Sequence, residues 1–85
     1  MQFVKGVLLH KKQFKAKTGK VIPVVSVLDE NETFSQVIDI TDFDGHAVRM
    51  TQGAVLQIPV RIKAVVSEKG NPYLNYVTAG PAEVA

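Results

Sequence analysis

Lys11, Lys12, Lys15, Lys17 and Lys20 crowd one stretch of the chain, and Phe14 stands among them. A lysine ammonium is drawn to a phosphate by charge, and on a polynucleotide the contact also releases condensed counterions. An aromatic ring adds a face on which a base can stack whatever its identity. Interleaved lysines and an aromatic residue therefore point to polyanion binding, with Phe14 as the stacking platform. The plainer reading is a solvated hairpin with Phe14 as a core or strand-end residue. A second set follows later in the chain. Lys69-Gly70-Asn71-Pro72-Tyr73 reads as a turn with a cation before it and an aromatic after it, and Tyr76 lies beyond. Tyr73 and Tyr76 fall on opposite faces, so one meets the core or a subunit partner and the other is exposed, and Arg61 and Lys63, on the polar side of the preceding alternating run, are placed to line a groove.

Charge is unevenly spread. Residues 1–28 carry six lysines and no acid, and residues 29–44 carry six acids and no Lys or Arg, although the net charge is only +2. Such asymmetry predicts one positive and one negative side. The acidic block is expected away from any polyanion path. Catalysis has little to work with. His10 and His46 stand in unrelated settings, and there is no cysteine to supply a thiolate or a disulfide. Asp39, Asp42 and Asp44 lack the spacing of a calcium loop and read as loop and cap residues. No nucleophile elbow or phosphate-binding loop occurs. The reading is a binding protein, not an enzyme, with no cofactor and no metal.

The elements that must hold these groups are strands. The run 55–66 alternates Leu56, Ile58, Val60, Ile62, Ala64 and Val66 against Val55, Gln57, Pro59, Arg61, Lys63 and Val65. That is a period of two, with one side toward a core. Pro59, which cannot donate to a ladder, predicts an edge or a bulge there. Further strands are expected over 3–15, with Gly6 marking a bend, and over 21–28, 33–40 and 73–78. Turns are expected at Thr18-Gly19-Lys20, at 29–32 and at 67–72. The stretch 41–53 reads as an irregular connection with at most a short helical turn. Five strands with a long third-to-fourth connection predict an all-β, five-stranded antiparallel Greek-key barrel, the OB-fold, over residues 1–80. Residues 81–85 are expected to form a mobile tail. An SH3-like barrel is the structural rival.

The layout resembles the small single-stranded DNA-binding, helix-destabilising proteins of filamentous bacteriophages. Lys15-Ala16-Lys17-Thr18-Gly19-Lys20 is similar to the basic first-hairpin turn of that family. Residues 34–40 resemble its hydrophobic strand after an aromatic residue, and 53–81 resemble its Gly-led strand, protruding loop and last strand. Lys69-Gly70-Asn71-Pro72-Tyr73 is similar to a family turn too, but there it belongs to the first hairpin, where this chain has Val21-Ile22-Pro23 instead. The resemblance implies an OB-fold homodimer, paired through its fourth and fifth strands, that coats phage DNA cooperatively.

Together these readings predict a cytoplasmic, sequence-tolerant binder of single-stranded DNA. Lys11, Lys12, Lys15, Lys17, Lys20, Arg61, Lys63 and Lys69 would meet phosphates, and Phe14 and Tyr73 would meet bases. RNA binding, as in a translational repressor, is equally open to such a barrel, since no group that reads the 2′-hydroxyl stands out. A protein-interaction module that recruits peptides at a strand edge is the alternative from a different class. The lysine-rich start, 1–20, lacks the apolar run of a signal peptide or a membrane span.

Overall fold

The computed structural model describes residues 2–30 and 35–85. The chain forms β1 (Gln2–Lys15), β2 (Val21–Glu30), β3 (Ser35–Thr41), β4 (Val55–Val66), β5 (Pro72–Thr78) and a short β6 (Glu83–Val84). The strands lie in the order β1-β2-β3-β5-β4-β6, and β1 also pairs with β4, so the first five close into a barrel. All these pairings are antiparallel except β3 with β5, a short parallel contact of Ile40 with Tyr76 and Thr41 with Val77. This is the five-stranded barrel that the strand pattern predicts. No helix occurs among the described residues, so none is long and apolar enough to cross a membrane. The 42–54 connection is a succession of turns, with Met50 N–H donating to Ala47 at 3.0 Å.

Strand alternation builds the core. Val4 and Leu8 of β1, Val25 and Val27 of β2, Ile38 and Ile40 of β3, and Leu56, Ile58 and Val60 of β4 all point inward and are buried. Ala47 from the connection closes over them. Gly6 lies where β1 is shared, opposite Asp29 of β2 and Leu56 of β4. Its missing side chain lets the Leu28 carbonyl approach closely, since any Cβ would run into that backbone. Pro59 lies in the gap between the β5 ladder, which ends at Val60 with Thr78, and the β6 pairing at Leu56 and Gln57, so on that side it stands at a local edge of β4, as its type predicts. It is buried inside β4 opposite Phe3. Its carbonyl accepts from Ala79 at 2.8 Å, so that edge of residue 59 faces the bend between β5 and β6. The absent N–H therefore costs no bond to β1.

The ends of the chain's elements depart from the sequence reading in places. β2 continues through Asp29 and Glu30, which pair with Gln36 and Ser35, so these two residues of the turn expected at 29–32 are strand. Residues 31–34 lie outside the described residues, and with them the expected start of the third strand. At the other end, where a mobile tail is expected over 81–85, Glu83 and Val84 lie against Gln57 and Leu56. Ala85 N–H donates to Val55 at 2.9 Å, and Ala82 packs on the core.

Candidate nucleic-acid interface

A β-bulge decides which side chains share a surface. Leu8 pairs with Val27 but His10 pairs with Ser26, leaving Leu9 as the extra residue in β1. Plain alternation from Val4 and Leu8 would send Lys12 and Phe14 to the core side. The extra residue reverses the phase. Residues directly opposite in a ladder share a face, so the outer face of β1–β3 reads in rows. Val7, Leu28 and Val37 form one row. His10, Ser26 and Asp39 form the next, followed by Lys12, Val24 and Thr41. Phe14 and Ile22 form the last. Two apolar patches thus flank a polar centre, with Phe14 60% and Val37 57% exposed.

The polar centre is held together by side chains. Ser26 Oγ donates to Asp39 Oδ1 at 2.7 Å, and Lys12 Nζ donates to Asp39 Oδ2 at 3.0 Å. The Ser26 hydroxyl holds the Asp39 carboxyl below its usual pKa, burial opposes it, and the Lys12 ammonium adds to the lowering. Asp39 is therefore a strand residue in the middle of the lysine-bearing face. This corrects its assignment to a loop or cap, and the acidic block does not lie wholly apart from the basic hairpin. The reason is register: Asp39 stands opposite Ser26, one row from Lys12. Asp42 is the cap that its type predicts. Fully buried, it accepts from the backbone N–H groups of His46, Ala47 and Val48 at 2.8–2.9 Å and from the Thr78 hydroxyl at 3.0 Å. Asp44 lies in the same connection, 3.8 Å from His46 Nε2. No group of three or more metal-ligating side chains gathers among the described residues.

Two hairpins project from this barrel, and their tips are built alike. Ala16 N–H donates to the Lys20 carbonyl and Gly19 N–H to the Ala16 carbonyl, both at 2.9 Å. Ser67 N–H to Asn71 and Gly70 N–H to Ser67, again at 2.9 Å, repeat the pattern. Gly19 and Gly70 both have positive φ, 87° and 84°. This is the three-residue hairpin loop that places glycine in the left-handed region. Lys17 Nζ reaches Glu68 Oε1 at 3.4 Å, so the two tips meet.

The sequence-predicted residues fall into groups. Lys12 and Phe14 share the outer face of β1–β3, whereas Lys11 and Lys15 pair with Val25 and Val21 and occupy the opposite side of that hairpin. Lys17 and Lys20 flank the first tip, and Lys69 sits in the second. Arg61 pairs with Val77, Lys63 with Asn75 and Val65 with Tyr73, so Arg61, Lys63 and Tyr73 share one face of the β4–β5 hairpin. All three are exposed, Tyr73 at 51%. Tyr76 is the inward tyrosine and packs on the core. Sequence reasoning missed Ile22, Val24, Leu28, Val37, Ser26 and Asp39 as parts of a surface. Their strands look continuously apolar, and only the register separates the outward residues from the inward ones.

No protein-family model matches the chain, and no curated protein matches it in sequence. Solved structures do resemble it. Two crystal forms of the S. cerevisiae mitochondrial single-stranded DNA-binding protein Rim1 superpose with TM-scores of 0.77 and 0.66. Their identities are 12% and 11%, over 98% of this chain and 91% of theirs. At that identity the likeness establishes the fold.

Proposed function

We propose that this chain is a non-catalytic, sequence-tolerant binder of single-stranded DNA, with RNA as the alternative ligand. One observation carries the reading. Phe14, Ile22 and Val37 are left on an outward face that also bears Lys12, flanked by a lysine-rich hairpin. Barrels of this class bind oligonucleotides on the face of strands 2 and 3 and between the loops joining strands 1–2 and 4–5. Bases lie on Phe14, Tyr73 and the aliphatic rows. Phosphates are met by Lys11, Lys12, Lys15, Lys17, Lys20, Arg61, Lys63 and Lys69. The structural likeness to Rim1, a single-stranded DNA-binding protein, supports the same reading.

Within it, the resemblance to filamentous-phage proteins supports a role in coating phage DNA during replication, in the host cytoplasm, as a homodimer. The dimer is supported by Ile62, Val66 and Leu74, apolar residues left exposed on the β4–β5 hairpin. Sedimentation at tens of micromolar, roughly the range in which weak association is populated, should show the dimer. A monomer there removes it.

The test of binding is a titration with oligo(dT) followed by tyrosine fluorescence at several salt concentrations. Affinity should fall with salt at a log–log slope of about −0.7 per phosphate neutralised. No binding at low salt, or no response to salt, overturns the reading. A parallel titration with oligo(rU) decides between DNA and RNA.

A further inference from the structure

Asp39 is an odd group to find in the middle of a surface meant for a polyanion. Its side chain is 55% exposed, and it stands between the apolar rows rather than at their margin. Along β2, Ile22 lies four residues to one side of Ser26 and Leu28 two residues to the other, about 13 Å and 7 Å at the usual strand rise. Flat bases resting on either patch would bring their edges toward this central row.

We infer that Asp39 reads base edges, its carboxylate accepting from the amino group of an unstacked base, so that the face favours cytosine over thymine. This rests on the proposed binding of single strands to that face. Three observations support it. The carboxylate is oriented, one oxygen on the Ser26 hydroxyl and the other on the Lys12 ammonium, so it is presented rather than free to swing aside. Each oxygen has a further lone pair after those bonds, because an ionised carboxylate has about four acceptor positions. It offers no donor, so it repels phosphate, and what it can meet on a polynucleotide is a base N–H. Cytosine presents its N4 amino donor where thymine presents the O4 acceptor. Thymine's own edge donor, N3–H, lies between two carbonyls that would face the carboxylate. Lys12 and His10 are the cationic and titratable neighbours on the same rows. Lys12 offsets the repulsion of passing phosphates without cancelling the acceptor.

The experiment compares oligo(dC) with oligo(dT) of equal length, at neutral pH and one salt concentration. Wild type, Asp39→Ala, Asp39→Asn and Lys12→Ala are titrated with both. Asp39 is half exposed, so its loss leaves the core intact. The wild type should bind oligo(dC) more tightly, by at least about fivefold, the low end of a specific base contact. Asp39→Ala should bring that ratio close to one. Lys12→Ala should weaken both oligonucleotides and, with Ser26 still holding one carboxylate oxygen, keep most of the ratio. Asp39→Asn, which keeps one acceptor and adds a donor, should fall between. Tighter binding of both by Asp39→Ala at an unchanged ratio would make Asp39 a mere neutraliser of Lys12 and overturn the inference. Equal affinity of the wild type for both also overturns it, while leaving the proposed function standing. Failure to bind either oligonucleotide removes the proposed function itself.

Discussion

Lys17 and Glu68 occupy the same position in two turns of the same geometry, and they meet at 3.4 Å. Each follows the residue that opens its turn, Ala16 in one and Ser67 in the other, and each turn ends on a left-handed glycine. Both side chains are more than nine-tenths exposed, 94% and 91%. A pair so open to water adds little to stability. It does occupy a lysine that the proposed ligand would otherwise engage. Glu68→Gln should therefore leave the melting temperature unchanged, tighten oligo(dT) binding and steepen its salt dependence by less than about one unit. Calorimetry and titrations at several salt concentrations check both halves.

Phe14→Ala and Tyr73→Ala should each weaken oligo(dT) binding more than any single lysine substitution does. A base–aromatic stack is worth about 1–3 kcal/mol, which is roughly five- to hundredfold in affinity. Both rings are more than half exposed, so thermal melts of the two variants should overlay the wild type. A Phe14→Ala variant that binds normally while Lys12→Ala does not would reduce the hairpin to an electrostatic guide.

Gly6→Ala should destabilise the barrel without touching the interface. The added methyl would collide with the Leu28 backbone, which cannot rotate away as a side chain could. Overpacking costs about 1–3 kcal/mol, and the upper end is expected because β1 would have to part from β2 at the point it shares with β4. Urea unfolding gives the figure.

Asp42→Ala should be more damaging still. It would strand three backbone N–H groups and the Thr78 hydroxyl in the interior. Hydrogen bonds to a charged group are worth about 1.5–3 kcal/mol each and are not additive, so a loss of at least about 3 kcal/mol is expected. The Asp42–Thr78 bond also lies one residue beyond the parallel contact of β3 with β5, where only Ile40–Tyr76 and Thr41–Val77 pair. Loss of near-native hydrogen-exchange protection at Ile40 and Val77 in Asp42→Asn would show the barrel opening there first.

Acid should weaken the fold through Asp39. Its pKa is lower in the folded chain than the ordinary 3.8, chiefly through the Ser26 hydroxyl. A depressed carboxylate contributes stability above its unfolded pKa and loses it as pH falls through the folded one. The contribution is therefore constant from neutral pH to about pH 5 and declines below about pH 4. Ser26→Ala should flatten that decline, by a modest amount because the carboxylate is half exposed. Urea midpoints at pH 3 and pH 6 for both proteins measure it.

The strands were legible in the sequence because their alternation and turn chemistry are local. The run 55–66 matches β4 residue for residue, and the glycine turns fall where positive φ is needed. Other features depend on partners distant in the chain. Residues 83–84 pair only because β4 offers a free edge beside Leu56 and Gln57. Pro59 is tolerated inside a strand because its carbonyl edge meets Ala79. Asp39 looks like one more member of an acidic block until register sets it against Ser26. The lysines and Phe14 were visible as residue types, but not the division that puts Lys12 on one side of the hairpin and Lys11 on the other.

That division hangs on Leu9. The bulge acts like a frame in a text of alternating letters: one extra residue changes which letters are read from outside. Were Leu9 to take a regular place in the ladder, alternation would run on from Leu8 and turn Lys11, Gln13 and Lys15 outward in place of Lys12 and Phe14, whereas deleting Leu9 would remove the bulge and keep the present faces. A barrel of this kind can therefore set the whole vocabulary it shows to a ligand by whether one residue pairs or stands extra, at a position that never needs to touch the ligand.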